Sequence, residues 1–404
     1  MLLAILVVLL ILGFLVFVHE LGHFLVAKLF GVKAEEFGFG FPPRIVGWVY
    51  NEKKKSWEMI KGAKQVKRKN TIYSLNLIPL GGFVKILGED GEDKEQVAKK
   101  TKKRVKNSEN FSHKPVWQRI LILVAGVFMN FYIAGVIFSL GFFIGTPEPV
   151  MENTGFNYKD VKIQILEVVA DSPAKEMGLK PGDEILKLSI DGQAVDIEET
   201  DQVHNFISQN QGREILVEVI RGDDIYRLKG TPRTEYKENE GSLGIGFDKI
   251  GIVSYPLHKA IFMGFGSMFT VTYRMIEVFG QMFMELFQGK ADKIKEVSGP
   301  IGIVVFTNQF TEMGLAYLIR FAAILSINLA IINILPIPAL DGGRILFLIF
   351  EKIKGRPVSP KFELGLHTIG MYLLLLLMLF VTVRDFSKFK NSFLVLWEKF
   401  LNIF

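Results

Sequence analysis

The chain has 404 residues, 49% of them hydrophobic, with a formal net charge of +6 and no cysteine. A mean hydropathy of +0.29 is too apolar for an ordinary water-soluble protein of this length and points to helices of about 20 residues crossing a bilayer. Disulfides and thiolate metal sites are excluded, so any metal must be held by nitrogen and oxygen, and no nucleic-acid partner is expected.

Residues 1–31 are expected to form a first transmembrane helix. Met1–Val18 lacks the basic start and small-residue cleavage site of a signal peptide, so it is read as a retained span. The motif His19-Glu20-Leu21-Gly22-His23 stands near its end. Two histidines four apart share one helix face, and a glutamate between them can reach a metal-bound water. Ionisable groups at membrane depth are costly and mark a functional site. His19 and His23 are the candidate metal ligands and Glu20 the candidate general base.

Residues 32–115 form a loop with 19 Lys+Arg against 10 Asp+Glu between Val32 and Pro115. Phe37–Pro43 and Ile72–Ile86 read as strands, the second bent at Gly81-Gly82. Glu89–Asn107 reads as a solvated, charge-rich run that can approach anionic headgroups. Residues 116–146 are the second span; Asn130 is polar at depth and either supports the site or packs helices. Residues 147–251 form an insert with 12 Lys+Arg against 21 Asp+Glu between Thr146 and His258. Its apolar alternation at Ile215–Val219 and Ile225–Leu228 reads as strands, and Gly182-Asp183 and Asp191-Gly192 as turns. The positive-inside rule places the first loop in the cytoplasm and the insert outside.

Residues 252–315 are apolar but carry Arg274, Glu277 and Glu285, which fits an amphipathic, interfacial or re-entrant segment. Residues 316–345 are the third span, ending in Asn333-Ile334-Leu335-Pro336-Ile337-Pro338-Ala339-Leu340-Asp341-Gly342-Gly343. Pro336 and Pro338 break the helix. Broken backbone at this depth is tolerated only where protein buries it or it lines a wet cavity. Asp341 would complete the three protein ligands common at catalytic zinc. It reaches the histidines' side of the membrane only if His258–Gln288 does not cross once. Residues 346–404 hold the fourth span and a C-terminal tail whose Phe386, Phe393, Leu394, Trp397 and Phe400 among lysines read as an amphipathic helix. His113, His204, His258 and His367 have no partner at ligand spacing and read as structural or surface groups.

The two motifs, their order and their placement resemble the bacterial site-2 protease family, intramembrane zinc metalloproteases of the RseP type. The stretch Ser172–Ile185 followed by Asp191-Gly192-Gln193 resembles a PDZ domain, and the insert has room for one copy. The expected fold is therefore an α-helical polytopic membrane protein of about four transmembrane helices, with a membrane-associated β-hairpin region and an extracytoplasmic α+β PDZ domain. The resemblance implies Zn2+ bound by His19, His23 and Asp341, with Glu20 activating the water. It implies that Asn333 holds the substrate backbone or stabilises the oxyanion, a donor the chemistry itself requires. It also implies a β-hairpin dipping toward the site from the inner face, where an edge strand binds substrate extended; Gly40, Gly82 and Phe83 are the candidates. Where the family has Gly-Pro, this chain has Gly126-Val127, so a kink there is in doubt. The implied partners are membrane-spanning protein substrates, such as anti-sigma factors and remnant signal peptides, and the lipid bilayer. The PDZ domain would contact a peptide or filter ectodomains by size. A non-catalytic membrane PDZ scaffold with a structural metal is the alternative, and a metal transporter is disfavoured because no inverted repeat is visible.

Overall fold

The computed structural model describes residues 2–62, 69–89, 109–151, 156–169, 171–236, 241–289, 298–356 and 358–388. Most of the charge-rich run at Glu89–Asn107 and the tail residues Phe393, Leu394, Trp397 and Phe400 lie outside them. Among the described residues, four helices are long and apolar enough to cross a membrane: α1 (Leu2–Leu29), α2 (Val116–Ile144), α7 (Leu315–Ile334) and, within α9 (Pro360–Lys388), Lys361–Phe386.

Between α1 and α2 lies a sheet of β1 (Ala34–Asn51), β2 (Ser56–Lys61) and β3 (Ile72–Ile86), in the order β2-β1-β3. The expectation of two strands is met, but both are bent back on themselves. Phe37 pairs with both Val84 and Tyr73, and Tyr73 pairs with both Phe37 and Trp48. The sheet thus presents five antiparallel segments in the order 82–86, 34–39, 72–76, 44–51 and 56–61. Gly40 and Gly81 take positive φ values of 83° and 103° at the two bends, where a side chain would be strained. The bends lie beside the middle of α1: a Cβ on Gly13 would stand 3.6 Å from the Pro79 carbonyl, and one on Gly81 would strike Val16. Phe37 stacks on Phe24 of α1 with ring centroids 4.6 Å apart.

The insert after α2 contains β4 (Thr146–Pro149), β5 (Tyr158–Val168), α3 (Pro173–Met177), β6 (Glu184–Ile190), β7 (Gln193–Asp196), α4 (Thr200–Gln209), β8 (Ile215–Arg221), β9 (Asp224–Gly230) and β10 (Ile245–Val253). The sheet order is β4-β10-β5-β6-β8-β9, with β7 on β6. Ile215, Val217 and Val219 alternate inward along β8, as a strand requires, and meet Val203 and Ile207 from one face of α4. Arg221 donates twice to the fully buried Asp183 carboxylate, at 2.7 and 2.8 Å.

The region 252–315 resolves into α5 (Leu257–Phe287) and α6 (Pro300–Met313). Helix α5 lies antiparallel to α2: Tyr255 N–H donates to the Phe142 carbonyl, Gly264 packs on Ser139, and Phe265 fills the space over Gly135. The chain is back at the insert by Met313, which covers Gly182, and Tyr317 and Arg320 of α7 bond Gln164, Glu148 and the Pro147 carbonyl there. Helices α5 and α6 therefore leave from and return to the same end of the bundle. Helix α7 stops at Ile334, short of the expected 345, because Pro336 and Pro338 cannot donate to a continuing ladder. A separate amphipathic helix α8 (Asp341–Lys354) follows, which hydropathy alone merges with its neighbours. Helix α9 is almost wholly exposed; at its far end the buried Asp385 accepts from the N–H groups of Gly299 and Gly302, both at 2.8 Å, at the start of α6.

Candidate metal centre

His19 and His23 sit one turn apart on the face of α1 that meets α2, and both are buried. Two glycines let the helices approach. A Cβ on Gly22 would run into the Ala125 carbonyl, and one on Gly126 would strike both imidazoles. Helix α2 continues unbroken through Val127, so the missing proline costs no helical turn. The His23 ring is fixed by Nδ1 lying 2.8 Å from the Ile122 carbonyl oxygen, which can only accept; Nδ1 therefore carries the proton and Nε2 keeps its lone pair.

Asp341 is the first residue of α8, where the helix dipole favours a carboxylate. The turn before it is tight. A Cβ on Gly342 would meet the carbonyls of Ile334 and Leu335, and one on Gly343 that of Ile337. Ala339 takes a positive φ of 82°. Helix α8 is clamped to the rest of the bundle by Arg119, which binds Glu351 at 2.5 and 3.1 Å, and by the Arg344–Glu89 ion pair.

The three side chains converge. Asp341 Oδ2 is 3.0 Å from His19 Nε2 and 3.2 Å from His23 Nε2, and the two Nε2 atoms are 3.1 Å apart. Tetrahedral zinc with ligands at about 2.05 Å sets donor atoms about 3.3 Å apart, so the triangle has the size of three corners of such a site. The surroundings fit too. The Asn130 amide lies 3.2 Å from His19 Nδ1, and Asn130 Oδ1 is buried with no hydrogen-bond partner among the described residues. Turned so that Oδ1 faces the ring, the amide accepts the Nδ1 proton and leaves Nε2 for a metal. Ser326 of α7 donates to the Asn130 carbonyl at 2.8 Å and ties that turn to the third span.

Glu20 follows His19 and points to the sheet: its Oε2 accepts the Val84 N–H at 3.1 Å. Val84 faces Phe37 on its other side, so this N–H belongs to the edge of the segment 82–86 that pairs with no strand among the described residues. Gly82 and Phe83 lie on that segment, opposite Phe39 and Gly38, and Gly82 packs on Phe17 of α1. Gly40 is at the deep bend, its carbonyl accepting from Asn76 Nδ2 at 2.9 Å. Asn333 is half-buried on the last turn of α7. Of the eight candidates, His19, His23 and Asp341 are brought into mutual contact and Glu20 joins them to the sheet edge; Gly40 stands apart at the bend.

In the sequence His367 reads as a structural or surface group. It accepts the Ala339 N–H at 2.8 Å through Nδ1 and so holds the turn that presents Asp341. Its spacing from the two motifs carries no signal of this. The Ile122 carbonyl is likewise invisible in sequence, being backbone.

The sequence profile described as peptidase family M50 matches residues 7–377. The chain belongs to peptidase family M50. It is similar to the regulator of sigma-W protease RasP of Bacillus subtilis, 30% identical over 450 residues that cover 94% of this chain and 97% of that one. It is 30% identical to the zinc metalloprotease RasP of Geobacillus kaustophilus, over 93% of this chain and 96% of the relative. A Clostridium perfringens protein named as a zinc metalloprotease is 33% identical, over 92% and 95%. M50 is the site-2 protease family, and the protein is accordingly a bacterial membrane zinc metalloprotease with Zn2+ as its metal.

Proposed function

We propose that this M50 protease hydrolyses peptide bonds inside the membrane, in single-span proteins already shortened outside it. Anti-sigma factors and remnant signal peptides are the substrate classes. The observation that carries the reading is the meeting of His19, His23 and Asp341 at 3.0 to 3.2 Å, with Glu20 beside them on the strand edge. His19 Nε2, His23 Nε2 and Asp341 Oδ2 would hold the zinc. When bound, zinc polarises a water and the scissile carbonyl.

The substrate lies extended along the 82–86 edge, because a helical segment hides its carbonyls in its own hydrogen bonds. Gly82 and Phe83 shape that edge, and Gly40 shapes the bend below it. Glu20 takes a proton from the attacking water and delivers it to the amine nitrogen as the C–N bond breaks. Val84 N–H steadies the carboxylate between turnovers. Asn333 offers its amide N–H to the substrate backbone or the oxyanion. The insert is a PDZ-like domain on the extracytoplasmic side, and the metal lies toward the cytoplasmic side; the lysine excess of the first loop supports that orientation. Membership of a peptidase family weighs against a non-catalytic scaffold.

The test is cleavage of a purified single-span substrate by the wild type and by Glu20→Gln, with zinc assayed in both. The expected result is a cut within the span by the wild type only, at equal zinc content. A zinc-loaded Glu20→Gln enzyme that still cuts would remove Glu20 as the base.

A further inference from the structure

The three-stranded sheet has two ends of opposite chemistry. Its bends at Gly40 and Gly81 reach the level of Gly13 and Val16, about 20 to 24 Å along α1 from Leu29. Around them Phe39, Phe41, Leu75, Leu77 and Ile78 are exposed, as suits hydrocarbon. The other end is set by α1's last turns: Lys28 Nζ donates to Tyr73 Oη at 3.1 Å, and Trp48 pairs with Tyr73 on one side and Met59 on the other. Tyr50 and Trp57 pair two residues further out, roughly 7 Å beyond, with ring centroids 5.7 Å apart. Trp57 and Met59 are 59% and 58% exposed, and Trp48 and Tyr50 are exposed as well. Aromatic rings with a polar atom collect where a membrane meets water.

The turn just past these rings carries Lys53, Lys54 and Lys55, and the sequence between Asn51 and Asn70 has eight Lys or Arg against two Glu. Lys54 pairs with Glu58 at 3.0 Å and Lys69 with Glu52 at 2.7 Å. Lys53 and Lys55, on the turn between β1 and β2, are exposed and pair with no carboxylate among the described residues; Lys61, opposite Val46, lies on the other side of the row and is not part of this group. An uncovered aromatic row next to unneutralised ammonium groups, level with a span's end, complements a negatively charged lipid surface.

We propose that Trp48, Tyr50, Trp57 and Met59 seat the β1–β2 end of the sheet in the headgroup layer where α1 ends, and that Lys53 and Lys55 bind anionic lipid headgroups there. The occupant is the lipid of the protein's own membrane. Its hold fixes how deep the sheet, and the 82–86 edge with it, sits beside the metal centre.

The experiment uses the full chain with Trp117→Phe and Trp397→Phe, so that emission comes from Trp48 and Trp57 alone. The protein is reconstituted in vesicles of phosphatidylcholine with a minority of phosphatidylglycerol, and the bromine label is placed on one lipid or the other. Brominated phosphatidylglycerol is expected to quench at least about twofold more per mole than brominated phosphatidylcholine. Adding Lys53→Glu and Lys55→Glu should equalise the two while zinc content stays unchanged. Equal quenching before those substitutions overturns the anionic preference. Weak quenching by both lipids with full quenching by aqueous iodide overturns the membrane seat. An emission shift produced by a soluble polyanion, with no headgroup preference, assigns the cluster to a soluble acidic partner and overturns the proposal as well.

Discussion

The backbone N–H of Ala339 donates to Nδ1 of His367, 2.8 Å away, and so joins the turn that presents Asp341 to the last membrane helix. Ala339 is also held at a φ of 82°, a conformation costing an L-residue of order 1–3 kcal/mol. The histidine thus restrains a strained turn two residues from a proposed ligand. His367→Leu should lower zinc affinity by about 10-fold or more, as loss of supporting groups around a metal commonly does. His367→Gln, which keeps an acceptor, should recover much of it. Zinc titration against a competing chelator reads both; equal affinity in the wild type and the leucine variant would make His367 a bystander.

Gly126 is where α2 presses on the two imidazoles, and an added methyl group has nowhere to go. Gly126→Ala should lose zinc and cut activity by about 100-fold or more. Gly141→Ala on the same helix adds a carbon that meets nothing nearer than 3.7 Å, and should behave as wild type. Zinc content by mass spectrometry and cleavage rate are measured side by side. Equal tolerance at both positions would contradict the close helix contact.

Asn130 orients His19 from behind. Asn130→Leu should weaken zinc binding about 10- to 100-fold, while Asn130→Asp retains an acceptor for the Nδ1 proton and should bind more tightly than the leucine variant. The order of the three affinities is the readout. A leucine variant as tight as wild type would reduce Asn130 to a helix-packing residue.

Arg221 covers the buried Asp183 carboxylate in the insert. Arg221→Ala leaves that carboxylate without its charged partner and should cost the insert about 2–3 kcal/mol. Hydrogen exchange should quicken in β6 and β8, while zinc content stays at the wild-type level. Unchanged exchange would show that water replaces the guanidinium at little cost.

Chelation should abolish cleavage, and zinc should restore it. It should also lower the thermal midpoint, because a ligand bound only by the folded state stabilises it. An unchanged midpoint with full loss of activity would place the metal outside the fold's own support.

Much of the site was legible because its chemistry is local. Histidines four apart on an apolar helix, and an aspartate after two prolines at the end of another, announce themselves by residue type and spacing. Their meeting requires that His258–Gln288 not cross once; in the structure α5 and α6 together leave from and return to the insert end of the bundle. The rest depended on relations that sequence does not encode in spacing. The folding back of β1 and β3 rests on cross-strand register, which alternation alone leaves free. His367 and Ile122 act through one backbone group each, and an apolar stretch gives no sign of which carbonyl will face a ring. Helix α8 was absorbed into its neighbours because its apolar face raises hydropathy without filling a span.

His19 and Asp341 stand 322 positions apart in the chain. During synthesis, a chain ending before residue 341 therefore has at most two of the three proposed metal donors, however well its first helix is inserted. Hydrolytic power then arrives late, when the third span is placed and its turn has closed. With the proposed ligand set, an unfinished copy is therefore expected to be inactive, as is the product of a nonsense mutation anywhere ahead of that turn.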